Sequence, residues 1–332
     1  MNTIGNIYKV SIFGESHGVA LGCCIDGCPA GIPLCEDDFA EDLARRKSGA
    51  KGTTPRKEDD LPQIVSGVFQ GRTTGAPITI LFHNNNTKSK DYSQLFDHPR
   101  PGHADYVARV KYGGFNDYTG GGHFSGRITL GLVAAGVVAK KIIAPMNVNA
   151  QILEVGGSKD IESTVAKAIE THDSIGGIVE CTINNVPVGL GEPFFSSVES
   201  EISRMAFSIP AIKGIEFGAG FNVAKMTGSQ NNDNIINADG RTEANNAGGI
   251  NGGITNGNPI VFRVAVKPTP SISLPQETYN IKDGKVEPLV IQGRHDLCIV
   301  LRVPPVLEAA AAIALADLSL VAQSVKRVFK DN

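Results

Sequence analysis

The chain has 332 residues, a formal net charge of −3 and a pI of about 6.2, with no tryptophan and 6% aromatic residues. That balance argues against a protein held to nucleic acid by bulk positive charge and base stacking. Hydrophobic residues make up 41% and charged residues 20%, which suits a globular chain with ample core. No uncharged apolar run approaches the roughly 20 residues of a bilayer span, so no membrane helix is expected.

Met1 to Asn6 lacks the basic, apolar, small-residue order of a secretory signal, so a cytoplasmic protein is expected. Residues 8–13 and 19–25 read as strands. The turn between them, Gly14-Glu15-Ser16-His17-Gly18, is expected to present its side chains outward. Adjacent Ser16 and His17 on a strand point to opposite faces and no G-x-S-x-G elbow surrounds Ser16, which weakens a Ser-His-Asp reading. The six cysteines, Cys23, Cys24, Cys28, Cys35, Cys181 and Cys298, show no C-x-x-C spacing and read as buried thiols.

Residues 36–47 carry acids first and bases last, with Phe39 and Leu43 four apart, the pattern of an amphipathic helix matched to its dipole. Arg45, Arg46, Lys47, Lys51, Arg56 and Lys57 follow one another through a Gly/Thr-rich stretch. In a net-acidic chain they form a local cationic patch. It reads either as a solvated helix end or as a loop that closes over an anionic substrate. Residues 64–82 read as strands broken at Gly67, Gly71 and Gly75, and Asn84-Asn85-Asn86 as a turn.

Between Asp97 and Arg127 lie His98, Arg100, His103, Asp105, Gly120-Gly121-Gly122, His123 and Arg127, followed by an apolar helix over 128–143. Glycine amides and a helix N-terminus make a phosphate-binding corner beside titratable imidazoles. Tight turns with surface histidines are the alternative. Further helices are expected over 158–171 and 196–208, a strand over 177–188, a compact loop over 210–214 and a short strand over 222–226. The Gly/Asn-rich stretch 228–258 reads as linker or as main-chain ligand contact. A strand over 260–267 leads into Lys267-Pro268-Thr269-Pro270-Ser271. Gly293-Arg294-His295-Asp296 precedes a strand over 297–303, and Pro304-Pro305 opens a helix to about residue 325. With no internal repeat and no regular βαβ rhythm, the chain is expected to fold over 1–332 as one α+β domain. Mainly antiparallel sheets would pack with helices, and distant loops would assemble the cleft.

No Walker A loop, dinucleotide fingerprint or H-E-x-x-H helix is present, and no metal site is expected. Histidines, arginines, an aspartate and glycine loops suit acid/base chemistry on a phosphorylated, carboxylated small molecule. A flavin oxidoreductase and an RNA-binding protein using residues 45–57 are the rival classes.

Gly14 to Gly18, Arg100 to Asp105, Gly120 to Gly122 with Ser125 and Arg127, Lys267-Pro268-Thr269 and Gly293 to Asp296 occur together and in order. In these motifs the whole chain resembles chorismate synthase. That resemblance implies an anti 1,4-elimination, the last step of the shikimate pathway and so part of aromatic amino acid biosynthesis. It converts 5-enolpyruvylshikimate 3-phosphate to chorismate and phosphate, with reduced FMN and no net redox change. It implies His17 as proton donor to the departing phosphate, His103 as proton donor or hydrogen-bond partner to the reduced flavin, and Asp296 as the group assisting proton removal. Ser16, Arg46, Lys51, Arg100, Arg127 and Arg294 would bind substrate. His123, Phe124, Ser125, Pro210, Ala211, Gly252, Lys267, Pro268, Thr269, Pro270, Ser271 and Arg294 would contact FMN. The resemblance further implies a homotetramer, and the chain has no long insertion to form a fused reductase, so a separate reductase would supply FMN in reduced form. Two departures stand out. His123-Phe124 replaces the commoner Arg-Ser, and Lys51 aligns with an arginine across a one-residue gap.

Overall fold

The computed structural model describes residues 2–87, 95–291 and 295–324. Arg294 lies outside them. Two antiparallel sheets enclose a pair of apolar helices. The first sheet orders Thr3–Ile4, Lys9–Gly14, Ala20–Asp26, Ile78–His83 and Gln63–Ser66. Its inner face is set by alternation: Val10, Leu21, Cys23, Ile25, Ile78, Ile80 and Phe82 are all buried. The second sheet orders Ile212–Phe217, Ile260–Val266, Gly177–Asn184 and Asn147–Val155. There Ile260, Phe262, Val264 and Val266 point inward.

Between the sheets run the helices Thr129–Ile143 and Val303–Ser324. They cross closely at Gly136, where a β-carbon would lie 2.3 Å from that of Ala309, so the crossing requires glycine. The first helix rests on the first sheet at Gly131, above the Gly22 carbonyl, and the second packs on the strands of the second sheet. The 299–324 segment is long and apolar enough by composition to cross a membrane. Yet 83% of its most apolar window is buried inside the protein. The sequence expectation of a helix from Pro304-Pro305 to about residue 325 agrees with its observed span, Val303–Ser324. Asp317 accepts the amides of Asn6, Ile7 and Tyr8 at 2.7–2.9 Å and ties the N-terminal strands to this helix.

The mainly antiparallel α+β architecture agrees with expectation, with local corrections. Residues 212–217 form an edge strand, not a loop; a register shift between Ile212 and Gly214 masks the alternation. Residues 220–225 form a 3-10 helix where a strand was expected. Gly220 turns the chain at φ 59, and Glu216 Oε2 accepts the Phe221 amide. Residues 299–302 are also 3-10, because the Leu297 and Cys298 amides bond to the Gly52 carbonyl instead of to a sheet. Asn147–Val155, the helix Asp105–Lys111 and the hairpin Gln276–Asn280/Lys285–Leu289 were not anticipated.

Candidate active site

A cavity of about 1130 Å³ opens where the N-terminal end of the Thr129–Ile143 helix meets loops from both halves of the chain. Single-ligand sites commonly measure roughly 300–1,000 Å³, so this cavity lies just above that range.

Two of the three catalytic candidates, His17 and His103, meet across the glycine run. Gly120, Gly121 and Gly122 all have positive φ, 60°, 82° and 54°, a path that L-residues rarely follow. The His17 ring lies against Gly120 and the His103 ring against Gly121, 3.5 Å from where its β-carbon would be. The turn holding His17 does not project outward as expected. Ser16 is 1% exposed, because its amide donates to the Gly122 carbonyl at 3.0 Å and the 14–18 turn folds under the glycines.

His103 is positioned by a charged cluster. Its Nδ1 is 2.6 Å from Asp105 Oδ1 and 3.1 Å from Arg100 Nη2. A carboxylate only accepts, so Nδ1 carries the proton and Nε2, on the Gly121 side of the ring, is left as the acceptor. The Arg100 contact is then one between donors. Burial lowers the His103 pKa below its ordinary value; Asp105 opposes this and Arg100 adds to it. Burial pushes the Asp105 carboxyl up, but hydrogen bonds from Arg100 and His103 outweigh it and hold the group far below the usual range. Arg100 gives its remaining contacts to Asp105 and to Ser271 Oγ. It therefore holds the imidazole as well as lining the cavity.

Opposite, Arg46 is 1% exposed. Its Nε donates to Thr129 Oγ1 and its Nη2 to the Gly126 and Arg127 carbonyls. Arg127 donates to Asn84 Oδ1 at 2.6 Å and to Asp60 Oδ1 at 2.8 Å. Asp60 Oδ2 lies 3.8 Å from Arg46 Nη1. One nitrogen of each guanidinium, Arg46 Nη1 and Arg127 Nη2, is buried without a hydrogen-bond partner among the described residues. Such donors demand an acceptor. Burial, and then the neighbouring Arg302, press the Arg46 pKa well below the ordinary guanidinium value against the pull of Asp60. An incoming anion would relieve that pressure.

Asp296 accepts the Thr54 amide at 2.9 Å and pairs with Arg302 at 3.1 Å; Arg302 in turn donates to the Arg46 carbonyl. Phe124, Ile209, Pro210, Ala211 and Leu132 contribute apolar lining to the cavity. Lys267, Thr269, Pro270 and Ser271 border it. Lys267 Nζ donates to the Gly102 carbonyl, and burial, with Lys213 nearby, lowers its pKa. Thr269 Oγ1 is buried with no hydrogen-bond partner among the described residues. His123 Nδ1 donates to the Gly14 carbonyl at 2.7 Å.

Ser16, Arg46, Arg100, His103, His123, Phe124, Ser125, Arg127, Pro210, Ala211, Lys267, Thr269, Pro270, Ser271 and Asp296 thus surround one space. His17 sits one layer behind it, against Gly120. Lys51, Gly252 and Pro268 are exposed and do not line it. Of the cationic loop, Arg45 faces away onto Glu308, whereas Arg46, Lys47, Arg56 and Lys57 reach the cavity. Arg302, Glu58, Asp60 and Asn84 escaped the sequence reading. Glu58 and Asp60 stand in an acidic run that looks like solvated loop, and Asn84 in what looked like a plain turn.

A family model described as chorismate synthase matches residues 8–320. The chain is 64% identical over its full length to the full-length chorismate synthase of Chitinophaga pinensis. It is 46% identical to that of Dehalococcoides mccartyi, with 99% of each chain covered. A solved structure titled as the crystal structure of chorismate synthase superposes with a TM-score of 0.73 at 27% identity, covering 96% of this chain and 93% of that one.

Proposed function

Because this chain belongs to the chorismate synthase family, we propose that the cavity between His103 and Arg46 is where it carries out that family's reaction. The reaction is the loss of phosphate from 5-enolpyruvylshikimate 3-phosphate to give chorismate, a carbon–oxygen lyase step in aromatic biosynthesis. Reduced flavin dependence is general to the family.

The single observation carrying the site assignment is the pair of buried guanidinium donors on Arg46 and Arg127, without hydrogen-bond partners among the described residues, lining the same cavity as the His103 imidazole. A substrate bearing a phosphate and carboxylates supplies the acceptors those donors lack. Arg46 and Arg127 bind and orient it, and Asp60 keeps the two guanidiniums from repelling each other before it arrives. His17 donates a proton to the phosphate oxygen as the C–O bond breaks. Asp296, held by Thr54 and Arg302, assists removal of the ring proton. His103 enters as a neutral imidazole, and takes up a proton when an anionic group settles against Nε2.

The fit of FMN rests on other residues of the lining. The apolar side chains of Phe124, Ile209, Pro210 and Ala211 suit a planar ring system, and the buried Thr269 hydroxyl, without a partner among the described residues, and Lys267 suit a polar or anionic tail. When bound, reduced FMN lends electron density to the allylic system and recovers it. The protein's part is to exclude water and hold both molecules in register. We assign Arg294 to substrate and flavin on its motif alone. We further propose that a separate reductase supplies the reduced flavin, that the protein is cytoplasmic, and that it assembles as a homotetramer.

The test is anaerobic turnover with dithionite-reduced FMN by the wild type, His17→Ala and His103→Ala. A loss of about 10²-fold or more is expected for each, the scale of general acid–base catalysis. Near-normal rates in both would remove the assignments.

A further inference from the structure

The Arg56 guanidinium is wedged between a carboxylate and the turn that carries His17. Its Nε and Nη2 donate to Glu58 Oε1 at 3.0 and 2.6 Å. Its Nη1 donates to Ser16 Oγ at 3.0 Å and its Nη2 to the Ser16 carbonyl at 2.9 Å. The side chains are 14% and 3% exposed. We propose that Arg56 is the positioning residue of the catalytic turn: it fixes Ser16, and through Ser16 the direction of His17, while Glu58 fixes Arg56. The proposal rests on the reading of His17 as the proton donor.

The planar fork of arginine makes this hold specific. Two donors in fixed geometry grip the hydroxyl and the carbonyl of one residue, which a lysine ammonium cannot reproduce. Ser16 is then held on three sides, since its amide already donates to the Gly122 carbonyl. With Ser16 Oγ accepting from Arg56, its own hydroxyl proton is left to donate, and Ser16 lines the cavity. His17 follows one bond later in the chain, with its ring on Gly120.

Glu58 is an anchor and not a mobile partner. Its Oε2 accepts the Asn85 amide at 2.8 Å and the Asn86 amide at 3.2 Å. Burial pushes the Glu58 pKa up, yet the Asn85 amide and Arg56 outweigh it and keep the carboxylate charged. Asn84, in the same turn, donates to the Glu15 and Gly18 carbonyls at either end of the His17 turn. The 84–86 turn follows the strand Ile78–His83, so the hold is referred to the first sheet.

The experiment is anaerobic steady-state kinetics with reduced FMN on Arg56→Ala, Arg56→Lys, Glu58→Gln, Ser16→Ala, the Ser16→Ala/Arg56→Ala double variant and His17→Ala. Arg56→Ala is expected to lower kcat by about tenfold or more with KM within about threefold, the signature of a misplaced group and not of a lost ligand. Arg56→Lys and Glu58→Gln recover part of kcat, and they carry the test if the alanine variant does not fold. The double variant loses less than the product of its two singles, because they share the Arg56 contact to Ser16 Oγ, while the contact to the residue-16 carbonyl survives Ser16→Ala.

A raised KM at unchanged kcat would make Arg56 a substrate ligand and overturn the proposal, as would multiplicative losses in the double variant. Unchanged kinetics with a lowered Tm would reduce Arg56 to a structural residue. A normal rate for His17→Ala would remove the reading of His17 and this proposal together, whereas an impaired His17→Ala beside a normal Arg56→Ala would remove this proposal alone.

Discussion

Gly120 and His17 stand so close that a β-carbon on the glycine would lie 2.5 Å from the imidazole Cδ2 and 2.6 Å from its Nε2. No side chain of any size fits there without moving the ring, and the φ of 60° disfavours L-residues besides. Gly120→Ala should therefore cost about 1–2 kcal/mol in backbone conformation. It should reduce kcat by a larger factor, up to about 10²-fold for a ring displaced by roughly 1 Å. Chemical denaturation and kinetics on the same preparation separate the two; a kcat within twofold of wild type would show that the contact does not position His17.

Asp105 links stability to pH with a defined sign. Its folded pKa is far below the ordinary carboxylate value, so the unfolded chain takes up the proton first. Its contribution is complete above about pH 4, near the unfolded value, and drains away as pH falls below that. Asp105→Asn should be less stable than wild type at pH 6, with the gap narrowing toward pH 3. Removing the carboxylate also deletes the influence that raises the His103 pKa, so an NMR titration should find that imidazole titrating lower still. A gap that stays constant with pH would contradict this.

Arg46 joins fold and site. It caps the Gly126 and Arg127 carbonyls at the head of the central helix and leaves one nitrogen without a partner among the described residues. Arg46→Ala should lose about 1–3 kcal/mol of stability, the cost of leaving buried acceptors unsatisfied. It should also raise KM for the phosphorylated substrate. Urea titration and kinetics check both halves; an unchanged KM would place Arg46 outside the substrate's reach.

Much of this site was legible in the sequence because its residues travel in short motifs. Arg100, His103 and Asp105 are one cluster in the chain and one in space, and the glycine run reads as a left-handed path wherever it falls. What escaped was long-range pairing. Glu58 and Asp60 belong to an acidic run that looks solvated until Arg56, Arg127 and Arg46 are brought to it by the sheet and the central helix. Arg302 was lost to a strand reading of 297–303, since nothing in that run shows that its amides bond to Gly52. The strand Asn147–Val155 went unread although its inner positions Val148, Ala150 and Val155 are apolar. Its Asn, Gln and Glu positions lie on the outer face and dilute the pattern.

Glu308 is a further case of long-range pairing. It is 1% exposed on the Val303–Ser324 helix and accepts from Arg45, Lys140 and the Ala150 amide. Glu308→Ala leaves Arg45 and Lys140 sharing only Asp42 and strips the Ala150 amide of its acceptor, and should destabilise the fold by about 3 kcal/mol, the low end for breaking a buried pair because both cations are partly exposed. Glu308→Gln should cost less. Thermal unfolding ranks them, and a neutral alanine variant would refute the network's role.

The central claim is that this cavity eliminates phosphate from the enolpyruvyl substrate without consuming flavin. Its most direct measurement is phosphate released per reduced FMN, under anaerobic conditions with the purified protein. Many phosphates per flavin, with the flavin still reduced at the end, is the expected result. One phosphate per flavin oxidised would make the protein an oxidoreductase and contradict it.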